Sequence, residues 1–209
     1  MSLLSRIFGS KDEPTPPVSG DLEARLTKLE DEAHRAPGGH KGTPLNKAGD
    51  VALRGGDRGR ALGYYGRAID TFLEDEQREA ARGVANKLIR VHPEAARTLC
   101  TLTWLDLGAR HMATALLHLR DYLAAVKRVG AEQLGADQIY EMARITPQSE
   151  FLTAAADALD ALDFGERADE VRQWARDGCS PDACTDEHEL AAACLQAAIR
   201  SNGRVVSDS

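Results

Sequence analysis

The chain of 209 residues is poor in the features that build β-sheets and membrane spans. Aromatic residues make up only 5% of it, and β-branched runs are few. No stretch alternates apolar and polar side chains with the period of two that a half-buried strand requires. No apolar run approaches the length of about 20 residues that crosses a bilayer. These absences argue against a sheet and against a transmembrane segment.

Export signals and disulfide frameworks are also lacking. The first residues, MSLLSRIF, form too short an apolar stretch for a signal peptide, and no cleavage site follows them. Only four cysteines occur, one at position 100 and three near the end. We therefore predict a cytoplasmic location with reduced thiols.

The cluster Cys179, Cys184, His188 and Cys194 leaves three interpretations open. A zinc site is disfavoured, because four residues separate the first two cysteines and Cys194 lies off the helical face of His188. A disulfide from Cys179 to either Cys184 or Cys194 is a second alternative. Buried thiols without a special role are the third, and we favour them. The sequence predicts no metal and no cofactor.

Negative charge is concentrated at the end of the chain. The net charge is -7, yet residues 130–209 hold 16 acidic against 6 basic residues, and the rest is slightly basic. Such a surface repels phosphate backbones, so a nucleic-acid partner is not expected.

What the chain does contain is alanine, leucine and charged residues in a helical pattern. Glycine and proline divide the pattern into segments, as at Gly55-Gly56, Gly130 and Pro147. The sequence predicts an all-α fold with helices over 21–36, 44–55, 58–75, 77–92, 94–107, 110–128, 131–143, 147–162, 165–177 and 185–200.

Composition divides the chain into four parts. Residues 1–20 are predicted to be a flexible N-terminal arm and linker, whose tip, residues 1–8, could contact a membrane, although disorder or a protein partner is favoured. Residues 21–42 hold a helix and a Gly/Pro joint. Residues 43–178 form a helical array, and residues 179–209 form an acidic helix and tail.

Small side chains recur between residues 45 and 68 at the places where two antiparallel helices would cross. They are accompanied by Leu45 and Tyr65 and comprise Ala48, Gly49, Ala52, Gly56, Ala61 and Ala68. In this register the segment resembles a tetratricopeptide repeat, a helix–turn–helix unit of about 34 residues. Weaker matches follow at 72–93 and 95–119, at unequal spacing, so the resemblance covers roughly residues 44–128. It implies a superhelix of antiparallel helix pairs, and an ordinary helical bundle is the alternative.

The resemblance also implies a binding groove lined by the first helix of each pair. Carried onto this sequence, its groove positions are Asn46, Asp50, Leu53, Asp70, Leu73, Thr98, Leu102 and Leu105. Because these are apolar residues with acidic spots, we expect a partner peptide or helix with apolar anchors and a basic residue. Each leucine taken singly is more typical of a core position.

No catalytic motif is present: no phosphate-binding loop, nucleophile elbow or metalloprotease helix occurs, and the histidines are scattered. The sequence therefore predicts a protein–protein interaction scaffold or adaptor rather than an enzyme. The alternative is a self-assembling structural subunit of a larger, bacterial-type complex. In that case the leucine stripe of helix 21–36 would pair between copies and form a homo-oligomer.

Overall fold

A computed structural model describes residues 19–37 and 39–202, and over these residues the chain is helical without any strand. Ten helices follow one another along the described chain. Their bounds are α1 Ser19–Arg35, α2 Gly42–Arg54, α3 Arg58–Glu74, α4 Arg78–Val91, α5 Ala96–Gly108, α6 Met112–Val129, α7 Glu132–Ile145, α8 Ser149–Ala161, α9 Gly165–Asp177 and α10 Glu187–Asn202. The all-α prediction is confirmed, and each predicted helix is found within about two residues of its predicted bounds.

The described helices include none that is long and apolar enough to cross a membrane. The predictions for the N-terminal tip and for the last seven residues lie outside the described residues.

Three helices begin at residues that suit a helix N-terminus, a proline in the first turn or an aspartate at the cap. Pro44 lies in the first turn of α2, where the amide that proline lacks would have no partner within the helix. Asp57 caps α3 by accepting a hydrogen bond from the Arg60 amide at 2.9 Å. Asp186 caps α10, because its carboxylate accepts from the amides of His188 and Glu189 at 2.8 and 3.0 Å.

Side-chain pairs show that alternate helices lie side by side in two layers. The layer of odd-numbered helices, α1 to α9, is joined by Glu23–Arg60, Asp70–Arg97, Trp104–Gln138 and Tyr140–Glu170. The layer of even-numbered helices, α2 to α8, is joined by three contacts. Asp50 of α2 pairs with Lys87 of α4, and Glu94, just after α4, pairs with Arg128 of α6. Lys127 of α6 donates to the Ala161 carbonyl of α8. We call these the odd layer and the even layer.

Helix α10 departs from this alternation. It packs mainly on α5 and also contacts α3 and α7, so it lies across the middle of the odd layer. Its first half approaches the end of α5 at Gly108. The two helices therefore run antiparallel, and the C-terminal helix covers the array instead of extending it.

The crossing of α2 and α3 depends on small side chains, as the sequence predicts. Gly49, Ala61 and Ala68 are buried. A Cβ on Gly49 would lie 2.5 Å from the Tyr65 ring, so only glycine fits there. Gly56 differs: it is exposed, and its φ of +82° shows that the turn selects glycine for backbone conformation.

The leucine stripe of α1 is covered within the chain. Leu22, Leu26 and Ala33 are buried where α1 packs on α2. Polar bonds to α3 hold the helix as well, including Tyr64 Oη to Glu30 Oε1 at 2.8 Å. Most of the stripe is therefore occupied within one copy, and of its leucines only Leu29 remains partly exposed.

Candidate functional site

The residues predicted to line one groove are divided between the two layers. Asn46, Asp50 and Leu53 lie on α2 in the even layer. The others lie on α3 and α5 in the odd layer; they are Asp70, Leu73, Thr98, Leu102 and Leu105. The structure does not bring the two sets together on one surface.

Four of the predicted groove residues are core residues. Leu73, Thr98, Leu102 and Leu105 are each at most 5% exposed. The three residues of α5 are buried because this helix packs on α4 and α6 and is covered by α10, and Leu73 of α3 belongs to the same core. A helix in such a position is buried on all sides, so these side chains contribute to packing and cannot contact a partner. Their assignment to the groove is wrong in this structure.

The two predicted acidic spots are already neutralised within the chain. Lys87 Nζ lies 2.9 and 3.0 Å from the Asp50 carboxylate oxygens and 3.0 Å from Asn46 Oδ1. Tyr65 Oη donates to Asp50 at 2.8 Å. Burial, and after it the Asp50 carboxylate, raises the pKa of Tyr65 above its ordinary value of 10. Asp70 pairs with Arg97. These carboxylates therefore give no reason to expect a basic residue in a partner.

The surface that does accept a helix is the one beneath α10. Leu190, Cys194, Leu195 and Ala198 are buried there. A Cβ on Gly108 would lie 3.0 Å from Cys194 Cβ and 3.3 Å from Ala191 Cα. The backbones of α5 and α10 therefore approach closely only because the residues at their crossing are small. We call this surface, formed by α3, α5 and α7, the α10 face.

Two clefts flank α10, one on each side of the helix, at the borders of the α10 face. The larger cleft has a volume of about 610 Å³ and is lined by Trp104, Gln138, Tyr140, Glu141, Arg167 and, from α10, Ala193 and Gln196 among others. The smaller cleft has a volume of about 300 Å³ and lies at the start of α10; Arg78, Arg82, His111, Ala191 and Cys194 contribute to it. Helix α10 therefore does not fill the space on either side of it.

A buried charge cluster lies beside the smaller cleft. Asp106 Oδ2 lies 2.8 Å from His118 Nδ1, and Asp106 Oδ1 lies 3.3 Å from Arg82 Nη1. Burial acts to raise the pKa of Asp106, but the hydrogen bond and charge of His118, together with hydrogen bonds from Thr114 and Arg82, keep it below its ordinary value of 3.8. Because Asp106 and His118 are both buried, a substrate cannot reach the pair. The cluster therefore stabilises the junction of α5 and α6.

Sequence reasoning missed this cluster because it did not connect the histidines with Asp106. The available signal was an acidic residue inside an apolar helix, followed by histidines on the next helix. Among the described residues, no group of three histidine, cysteine or acidic side chains is arranged to hold a metal ion.

All four cysteines are free thiols, and neither disulfide alternative is formed. Cys194 is buried against α5, whereas Cys179 is exposed in the segment that precedes α10. Burial raises the pKa of Cys100 and of Cys194 to about 12 in each case. In the folded chain, burial therefore favours the protonated thiol form of both residues.

Comparison with known proteins leaves the fold and its geometry as the basis for assigning function. No protein-family model, no characterised protein and no solved structure matches this chain.

Proposed function

We propose that this chain is a cytoplasmic protein–protein interaction scaffold that holds a helical segment of a partner along the α10 face. The observation that carries the proposal is that this face already accommodates an amphipathic helix, α10, across three helices of the odd layer. A rigid helical array with a surface that holds a helix is a common means of peptide recognition.

The proposed arrangement is a tetratricopeptide-like array in which α2 and α3 form one helix pair. The support is the close crossing of Gly49 and Tyr65, together with the two-layered alternation of the following helices. The binding surface differs from the one that the resemblance implied, because the groove positions of α3 and α5 lie beneath α10.

The proposal contains no catalytic step, metal or cofactor. Asp106 and His118 are buried and bonded to each other, and Arg82 pairs with Asp106, so the carboxylate and the imidazole are not exposed to a substrate. Self-assembly remains the second candidate function, but the burial of Leu22 and Leu26 removes the observation that favoured it.

Photo-cross-linking tests the scaffold proposal. A benzophenone amino acid replaces Glu141, an exposed residue of α7 in the larger cleft, and in a control it replaces Leu117, an exposed residue of α6. In extract of the source cells, we expect a defined cross-linked protein from position 141 and none from position 117. Equal products at both positions, or none at either, would contradict the proposal.

A further inference from the structure

We infer that α10 is a displaceable occupant of the α10 face, and that the partner is an amphipathic helix with an acidic first turn and larger apolar side chains than those of α10. This inference rests on the proposed function, because it names the partner of the same face and the event that admits it. Three features of the described residues support it.

The first feature is the small size of the side chains on α10. Its middle carries three consecutive alanines, Ala191, Ala192 and Ala193, and Ala197 and Ala198 follow. The larger and smaller clefts lie on the two sides of this slim helix. Unfilled space forfeits van der Waals contacts with the walls. A helix with a leucine at the position of Ala193 would therefore fill the larger cleft better than α10 does.

The second feature is the kind of contact that holds α10. No ion pair joins Glu187–Asn202 to the array among the described residues. The firm polar attachments lie before the helix, where Arg144 pairs with Asp182 at 2.6 Å and Ser180 Oγ donates to the Thr146 carbonyl at 3.0 Å. The helix itself is held mainly by apolar burial, which is non-directional and which another helix could supply.

The third feature is the charge around the start of α10. Arg78 lines the smaller cleft, and its Nε atom is buried without a hydrogen-bond partner among the described residues. Arg82 in the same cleft is already paired with Asp106 and Glu79. Arg110 donates to the Thr185 carbonyl at 2.8 Å. Arg78 and Arg110 lie near the positive end of the α10 dipole, which favours a helix with acidic residues in its first turn. Helix α10 carries Glu187 and Glu189 there.

A peptide that copies α10 is the probe for displacement. It spans residues 185–202 with Cys194→Ala, to prevent disulfide exchange, and with Ala193→Leu, to fill the larger cleft, and it carries a fluorophore at its N-terminus. Binding to the full chain is measured by fluorescence anisotropy. If α10 competes for the face, the apparent Kd depends on the fraction of molecules in which α10 is undocked.

Two variants of the full chain move that fraction in opposite directions. Leu195→Ala removes a buried contact of α10, so we expect the peptide to bind at least tenfold more tightly. Gly108→Cys places a sulfur beside Cys194, because the new Cβ would lie 3.0 Å from Cys194 Cβ. A disulfide spans about 3.5–4.5 Å between Cβ atoms, so a small shift of α10 allows the bond. Oxidation should then weaken peptide binding at least tenfold, and reduction should restore it.

The matched control is Gly108→Cys combined with Cys194→Ala, which cannot form the bond and should bind equally under both conditions. All variants carry Cys179→Ser and Cys184→Ser to prevent other disulfides. A misfolded variant would not reproduce the loss of binding that oxidation causes in Gly108→Cys and that reduction reverses.

Unchanged affinity in both Leu195→Ala and oxidised Gly108→Cys would overturn the displacement of α10. If a cross-linked partner still forms at position 141, the scaffold proposal stands and only the displacement falls. If neither the cross-link nor peptide binding is observed, both fall.

Discussion

At the scale of single residues, the α2–α3 crossing depends on the absence of one methyl group. The ring of Tyr65 packs against Gly49, and its hydroxyl donates a hydrogen bond to Asp50. Both the ring and the hydroxyl are therefore fixed against α2. A close-packed interior has no space to move such a ring without disturbing its neighbours. This contact therefore offers the sharpest local test of the packing.

We expect Gly49→Ala to lower the free energy of unfolding by about 1–3 kcal/mol, because the new Cβ overlaps the Tyr65 ring. The control is Gly63→Ala in α3, where a Cβ meets nothing within 4 Å. Alanine there should raise stability by about 0.5–1 kcal/mol, since alanine is the better helix former. Urea unfolding followed by circular dichroism measures the free energy of unfolding of both variants. Equal changes in the two variants would show that α2 and α3 do not pack closely at Gly49.

A second residue-scale prediction concerns acid stability. The pKa of Asp106 is lower in the folded chain than its ordinary value of 3.8, so its ionised form stabilises the fold at higher pH. That contribution is lost as the pH falls below about 4 and through the lowered pKa. Asp106→Asn should cost about 1–3 kcal/mol at pH 7, because it weakens the bonds to His118 and Arg82.

The difference in unfolding free energy between wild type and Asp106→Asn should therefore narrow between pH 5 and pH 2.5. Urea unfolding at several pH values measures it. Asp163→Asn, at an exposed turn residue, is the control and should have little effect at pH 7. If the difference in unfolding free energy between wild type and variant stays constant over this pH range, the ionised form of Asp106 does not stabilise the fold.

At the scale of helices, α5 and α10 are in close contact but are held in different ways. Helix α5 is buried along nearly its whole length and is enclosed by both layers, whereas α10 rests on one side of the array. Elements with fewer buried contacts open at lower free energy than the core.

Native-state hydrogen exchange should therefore show that the amides of α10 exchange faster than those of α5. In Leu195→Ala the difference between the exchange rates of α10 and α5 should increase, because that substitution weakens the docking of α10. Helix α2, which packs on α1 and α3, should keep its protection. Mass spectrometry of peptic fragments measures the exchange. Identical rates in α5 and α10 would mean that α10 opens only when the whole chain unfolds.

At the scale of the whole molecule, α1 belongs to the same helical array as α2 to α9. Its leucine stripe contributes to the common core, and Glu23 and Glu30 bond to Arg60 and Tyr64 on α3. In a helix bound in this way, Leu29 is the one leucine of the stripe that stays partly exposed. Its contribution should appear in stability and not in oligomeric state.

We expect Leu26→Glu, at a side chain that is 2% exposed, to destabilise the chain by several kcal/mol, because a buried charge is left unpaired. Light scattering should give the monomer mass of 22.6 kDa for the wild type, and a folded fraction of the variant should keep that mass. A wild-type dimer that the variant converts to a stable monomer would instead support self-assembly through α1.

The sequence by itself determined where the helices begin and end. Helix formers, caps and breaking residues act within one or two turns, so their effect does not depend on distant contacts. The crossing at Gly49, Ala61 and Ala68 was also visible, because it joins neighbouring helices through a short turn. Even the burial of α5 had a signal in its run of apolar residues on all faces.

Only the tertiary structure decided which surface receives a helix. The position of α10 depends on contacts between residues about 90 apart, such as Gly108 with Cys194. No local pattern encodes that contact, because alanine and glycine suit any close crossing. The predicted groove failed for this reason: helical spacing shows which residues share a face, but the packing of all helices together decides whether that face is open or covered.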